Sequence, residues 1–220
     1  MNYLIDCQEQ CLKLSSFKGF FVLFLIVNFS KAKEYIVNRL VKELPKNLFY
    51  HAAHHTFDVV KQAQTIGKCE GISNDEMLIL LTAAYFHDSG FLFKYQSNES
   101  EAVKLVREVL PEMEYDKQEI EEICKIILAT NINVQPKTLL EKIMCDADHD
   151  YFGREGYSKT ADNLRKELEE YGDKFDDKEW LEIQINFLEV KHQYYTVTSK
   201  LNRTPNKNKI IASLKGALIE

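Results

Sequence analysis

Leu81-Thr-Ala-Ala-Tyr-Phe-His87-Asp88-Ser-Gly-Phe91 is the stretch on which both the fold and the chemistry of this chain turn. From Met77 to Phe86 the residues are apolar nearly all round, the pattern of a helix enclosed by protein on every side. That helix ends on an imidazole and a carboxylate. Consecutive residues on an ideal helix diverge by about 100°, so His87 and Asp88 reach a common point only if the helix stops there, and Ser89-Gly90 supplies the stop. A nitrogen and an oxygen donor meeting at one point suit a borderline divalent metal ion with open positions. The competing reading has His87 capping the helix and Asp88 facing water.

Two neighbouring stretches decide between these readings. Upstream, Tyr50-His51-Ala-Ala-His54-His55-Thr-Phe-Asp58 is expected on a helix running from His51 to about Gln64. Positions four apart share a helix face, so His51, His55 and Asp58 look the same way with His54 beside them. Downstream, Cys145-Asp146-Ala-Asp148-His149-Asp150 follows the apolar Leu139-Leu140 and Ile143-Met144. Two carboxylates entering a core side by side are costly unless paired or metal-bound. Asp148 is taken as the ligand and Asp146 as its supporting partner, orienting an imidazole.

The rest of the chain reads as helix. Ser30 caps a helix to Leu44, which Pro45 stops. Ser73-Asn-Asp-Glu76 has the spacing of a capping box. Further helices are expected over 99–110, 116–129, 137–144 and 159–171, then a long one over 177–201 and a short one after Pro205. Pro111, Pro136, Gly172 and Pro205 fall between the periodic stretches, as helix breakers do. The expected fold is all-α, a bundle of roughly eight to ten helices in one domain over 30–220.

Residues 1–29 stand apart as an apolar extension. Phe20–Val27 is an unbroken apolar run, too short to span a bilayer, which takes about 20 residues. An accessory docked helix is the favoured reading, with membrane contact through 17–29 the lesser one. The net charge of −6 offers no basic field for nucleic acid. Five cysteines without a Cys-x-x-Cys pair cannot all pair within the chain, which points to reduced thiols and the cytoplasm.

Tyr50-His51-x-x-x-His55-Thr, Phe86-His87-Asp88-Ser-Gly90, Asn98-Glu99 and Asp146-Ala-Asp148 together resemble the HD superfamily of metal-dependent phosphohydrolases. The likeness continues through Asp150-Tyr-Phe-Gly-Arg154 and Phe187-Leu-Glu-Val-Lys-His192, and covers 31 to the C-terminus. It implies an HD-domain bundle in which His55, His87, Asp88 and Asp148 bind a divalent ion, whether Mn, Fe, Mg, Ni or Zn. The Tyr-His-x-x-x-His arrangement is also similar to the cyclic-nucleotide phosphodiesterase core, which implies that His51 protonates the leaving oxygen. The implied reaction is hydrolysis of a phosphoester or phosphoanhydride in a small phosphorylated substrate, a nucleotide by preference. The catalytic residues would be His51 and Asp88. Ala52 stands where asparagine is usual, and Asn98 where many two-metal members carry histidine; these departures favour the alternative of a silent metal- and nucleotide-binding sensor. His54, Asp58, Lys94, Glu99, Asp146, Arg154 and His192 are candidates for supporting the ligands or holding substrate. Oligomeric state is left open.

Overall fold

The computed structural model describes residues 28–219, and the N-terminal run, Cys7 and Cys11 lie outside them. Among the described residues nine α-helices and no strands occur: α1 (28–43), α2 (Ala53–Glu70), α3 (Asn74–Phe86), α4 (Asn98–Val109), α5 (Lys117–Leu128), α6 (Leu139–Asp148), α7 (Tyr157–Glu170), α8 (Asp177–Asn186) and α9 (Val197–Ile219). None of these helices is long and apolar enough to cross a membrane.

Local signals set most of the helix starts. Capping boxes open α3 at Ser73, α5 at Asp116, α6 at Thr138 and α8 at Asp176, each with a glutamate three residues on reaching back to the cap. Each such cap stabilises its helix by about 1 kcal/mol. At the other end of α2, Gly71 takes a left-handed conformation with φ of 76°. The Ile72 amide then bonds back to the Gly67 carbonyl, so Gly67 belongs to the helix and Gly71 ends it.

Three expectations need correction. His51 precedes α2 instead of opening it, because the backbone amides of Tyr50 and His51 bond to the Glu167 carboxylate and hold the chain off the helix. The long helix expected over 177–201 is broken. It passes through a π-turn at Phe187–Lys191 into extended chain, where Asp146 takes the amides of Tyr195 and Thr196 and the Thr196 hydroxyl. Thr196 in turn accepts the Ser199 amide and starts α9. Pro205 sits inside α9, where a proline forfeits one helical hydrogen bond. Contacts to the turn Asp150–Gly153 hold the helix through it: Arg203 pairs with Asp150, and Asn206 donates to the Gly153 carbonyl.

Two cores result. Helices α1 to α6 bury an aliphatic cluster that includes Ile36, Leu80, Phe86, Ile123, Ile127 and Ile143. Its centre is α3, buried from Ile79 to Phe86 and packed against α2, α5 and α6. The second cluster is mostly aromatic, with Tyr50, Tyr151, Phe152, Tyr157, Trp180 and Tyr194 joined by Leu188 and Ile211.

Candidate metal centre and its cavity

The all-round apolar α3 does end at Phe86, with His87 as its C-cap and Asp88 at φ −96°, ψ 7°. This bend lets two consecutive side chains share one direction. His87 Nε2 stands 3.1 Å from Asp88 Oδ2. His55, on the buried face of α2, brings Nε2 to 3.5 Å from Asp88 Oδ2 and 3.0 Å from Asp148 Oδ1. Asp148 Oδ1, at the end of α6, lies 3.6 Å from His87 Nε2. Gly90 permits this turn for a reason other than a left-handed φ: a Cβ there would overlap the backbone of Asn98 at the start of α4.

His55, His87 and Asp148 each bring one donor atom within 4.8 Å of the others, a cluster that could hold a metal ion, and Asp88 Oδ2 lies against both imidazoles. Donors sharing one ion at about 2.0–2.2 Å stand about 3–3.5 Å apart, close to the 3.0–3.6 Å of the four His–Asp pairs. His87 Nδ1 donates to the Ala84 carbonyl at 2.9 Å, a bond that fixes the tautomer and turns the Nε2 lone pair inward. His87 Nε2 and Asp88 Oδ2 are buried with no hydrogen-bond partner. Burial alone would lower the His87 pKa, but Asp88 and Asp148 outweigh it and push it well up. Burial would raise Asp148, but His55 and His87 hold its carboxyl well below the usual carboxylate range. The site thus calls for positive charge at its centre, and a divalent ion supplies more of it than an imidazolium proton does.

His51 lies beside the cluster, its ring centroid 5.9 Å from that of His55 and stacked on Phe91 at 4.4 Å. Its Nδ1 makes a short hydrogen bond to Glu167 Oε1. The Glu167 side chain is wholly buried, and its other oxygen accepts the amides of Tyr50 and His51. Burial favours neutral His51, but Glu167 and Asp88 outweigh burial and raise its pKa. Glu167 itself is held below the usual range by His51 despite burial. Sequence reasoning missed Glu167. The available signal was its position on α7, three residues after Leu164 and so on the same face as the apolar Ala161, Leu164 and Leu168.

The other candidates divide. Asn98 donates to Asp88 Oδ1 at 3.4 Å, and Glu99 accepts from Asn131 at 3.1 Å; both line the cavity described below. Asp58 is engaged by both terminal nitrogens of Arg154. Arg154 also pairs with the buried Asp150 at 3.0 Å, so these two residues form an ion-pair network with no unpaired cation. His54 is exposed on α2. Lys94 is exposed and lines neither of the two main cavities. Asp146 orients no imidazole, since its oxygens serve Tyr195 and Thr196. His192 is buried away from the cluster, with Lys207 Nζ 3.1 Å from its Nδ1, and burial lowers its pKa to about 2.

Asp88, Asp148 and His51 open onto one cavity of about 380 Å³, within the range of small-molecule sites. Its far wall comes from α7, α8 and the π-turn, through Tyr157, Leu164, Leu168, Trp180, Ile183 and Phe187. A second cavity of about 290 Å³ lies on the other side of Tyr50, Tyr151 and Tyr157 and is edged by His54, His55, Asp58 and Arg154.

The sequence matches the HD domain family over residues 52–151. No curated protein matches the chain. Among solved structures, that of Bacillus subtilis YpgQ in complex with ADP shares the fold, with a TM-score of 0.59 at 20% identity, covering 86% of this chain and 96% of that one.

Proposed function

Residues 52–151 are an HD domain, and on that premise we propose that the chain is a metal-dependent phosphohydrolase acting on a phosphoester or phosphoanhydride, with a nucleotide the favoured substrate. One observation carries the reading: two imidazoles and two carboxylates from α2, α3 and α6 meet in four His–Asp pairs of 3.0–3.6 Å, and both carboxylates open onto the same cavity as an imidazole held by a buried glutamate. His55, His87, Asp88 and Asp148 would hold one divalent ion, which when bound polarises a phosphoryl oxygen and lowers the pKa of a water. The roles of the protein's own groups follow from their surroundings. Glu167 accepts from His51 Nδ1 and leaves Nε2 as the edge that can donate into the cavity. His51 would give that proton to the departing oxygen as the bond to phosphorus breaks. Asp88, steadied by Asn98 at one oxygen, is the acceptor for the proton of the attacking water. The ADP bound to the protein of like fold supports a nucleotide among the substrates to be tried.

The test is chromatographic product analysis. Wild type and Asp88→Ala, each with Mn²⁺, Mg²⁺ or Ni²⁺, are given cyclic nucleotides, nucleoside mono- and triphosphates and an aryl phosphate. Turnover by the wild type alone is expected. Equal turnover by the variant would overturn the assignment of this site.

A further inference from the structure

The two ends of the main cavity differ in chemistry. At the metal end stand Asp88 and Asp148, with Glu99 also on the lining; the only nitrogenous groups there besides Asn98 are His51 and His149. No lysine or arginine lines the cavity among the described residues. The cations that could have served lie elsewhere. Lys94 is exposed outside it, Arg154 is held between Asp58 and Asp150, and Lys207 is buried against His192. The second cavity supplies no surplus cation either, because the carboxylates of Asp58 and Glu155 line it together with Arg154. A di- or triphosphate carries several charges that proteins match with lysine or arginine, and the start of α4 at the cavity brings the Glu99 carboxylate with it. A single phosphoryl group needs only the ion.

The far wall favours something else. Trp180 and Phe187 on the α8 side face Tyr157, Leu164 and Leu168 on the α7 side, and Ile183 is 40% exposed. The π-turn brings Phe187 and Leu188 to the lining, and such irregular turns are frequent where a helix bounds a site. Flat rings and aliphatic branches receive a planar apolar group, and the polar groups among them, Gln184 bonded to the Tyr157 hydroxyl and the Trp180 carbonyl and the lone Trp180 Nε1–H, bring no cation for a polyanion.

We propose that the cavity selects a monophosphoryl substrate whose organic part is a flat, largely apolar ring system seated against Trp180, Ile183 and Phe187, and that it discriminates against polyphosphates. This rests on the phosphohydrolase reading above and narrows it to one phosphoryl group on an aromatic body.

Binding tests the proposal independently of turnover. Calorimetry on the full chain with excess Mn²⁺ would use three stable probes: methylphosphonate, naphthylmethylphosphonate and imidodiphosphate. The expected order has naphthylmethylphosphonate tightest, by about tenfold over methylphosphonate, as burial of an aromatic ring warrants. Ile183→Lys, which adds a cation and removes part of the apolar wall, should raise imidodiphosphate affinity about tenfold and cancel the naphthyl group's advantage over methylphosphonate. Imidodiphosphate binding tightest to the wild type, or a naphthyl group conferring no advantage, would overturn the proposal. Either result leaves the phosphohydrolase reading standing if products form. The expected binding order without any product would instead sink that reading and keep this one.

Discussion

The aliphatic half of the molecule and the aromatic half meet at the candidate site and bring different things to it. His55, His87, Asp88 and Asp148 all sit on or at the ends of α2, α3 and α6, whose other faces pack into close-fitted Ile, Leu, Val and Ala side chains. Packing of that kind has no room to relax, which is what donors that must keep their positions to within about 0.5 Å require. The aromatic half contributes the cavity wall, and Glu167 on α7 orients the His51 imidazole proposed to donate a proton. Large rings bounding a space leave gaps that small branched side chains close. On the proposed function the difference is a division of labour: the dense half would fix the ion, and the open half would receive the substrate.

The sharpest way to break this division is to remove a donor from the dense half. Asp148→Ala should bring the metal content after dialysis, measured by mass spectrometry, down to background and lower turnover by about 10³-fold or more, with the helical circular dichroism retained. Wild type should also melt later with added Mn²⁺, by the equivalent of about 2.7 kcal/mol at a hundredfold excess over Kd, and the variant should not. A variant that keeps both its metal and its metal-dependent melting shift would show that the four donors do not form the centre.

Glu167→Gln probes the other half. It preserves shape and removes the charge that holds His51 protonated, so metal content should match wild type while turnover falls by about 10²-fold. The direction with pH follows from the raised His51 pKa. A general acid is active below its own pKa, so activity is lost as pH rises through that value. Without Glu167 the pKa drops, and the alkaline limb of the rate profile should move to lower pH. An unmoved limb would remove His51 from the role of acid. The same sign applies to stability: the His51 contribution is full below the ordinary imidazole value and fades as pH climbs through the raised one, while that of Glu167 is lost as pH falls through its lowered value.

The smallest effect should come where the halves are tied together. Asp146 reaches from α6 to the amides of Tyr195 and Thr196. Asp146→Ala leaves those donors buried and unmatched, which costs about 1–3 kcal/mol. Faster hydrogen exchange over 192–199 with unchanged metal affinity is expected. A loss of metal would mean that Asp146 supports the ligands after all.

What could be read in advance follows the same line. The dense half was legible because its signals are local: an all-round apolar α3 ending on His87-Asp88, the Ser73 capping box, and an apolar α6 leading into Asp146 and Asp148. Even there α6 runs four residues further than expected, to Asp148. The open half depends on contacts distant in sequence. Glu167 meets Tyr50 and His51 from more than a hundred positions away, so its place beside the apolar face of α7 marked it as buried without showing what it would hold. The break at 187–196 depends on Asp146, and the passage of α9 through Pro205 depends on Asp150 and Gly153. Arg154 and His192 were plausible phosphate holders by type, and only their partners reveal that both are already engaged.

The wall built from α7 and α8 carries none of the four donors, so under the proposed function it is the part free to change. Replacements at Leu164, Ile183 or Phe187 would then reshape what fits without touching a ligand of the ion, and drift or laboratory selection could explore new substrates. The dense half offers no such freedom, because nearly every position there is at once packing and chemistry. Diversity among descendants of this chain should therefore gather in one face of two helices.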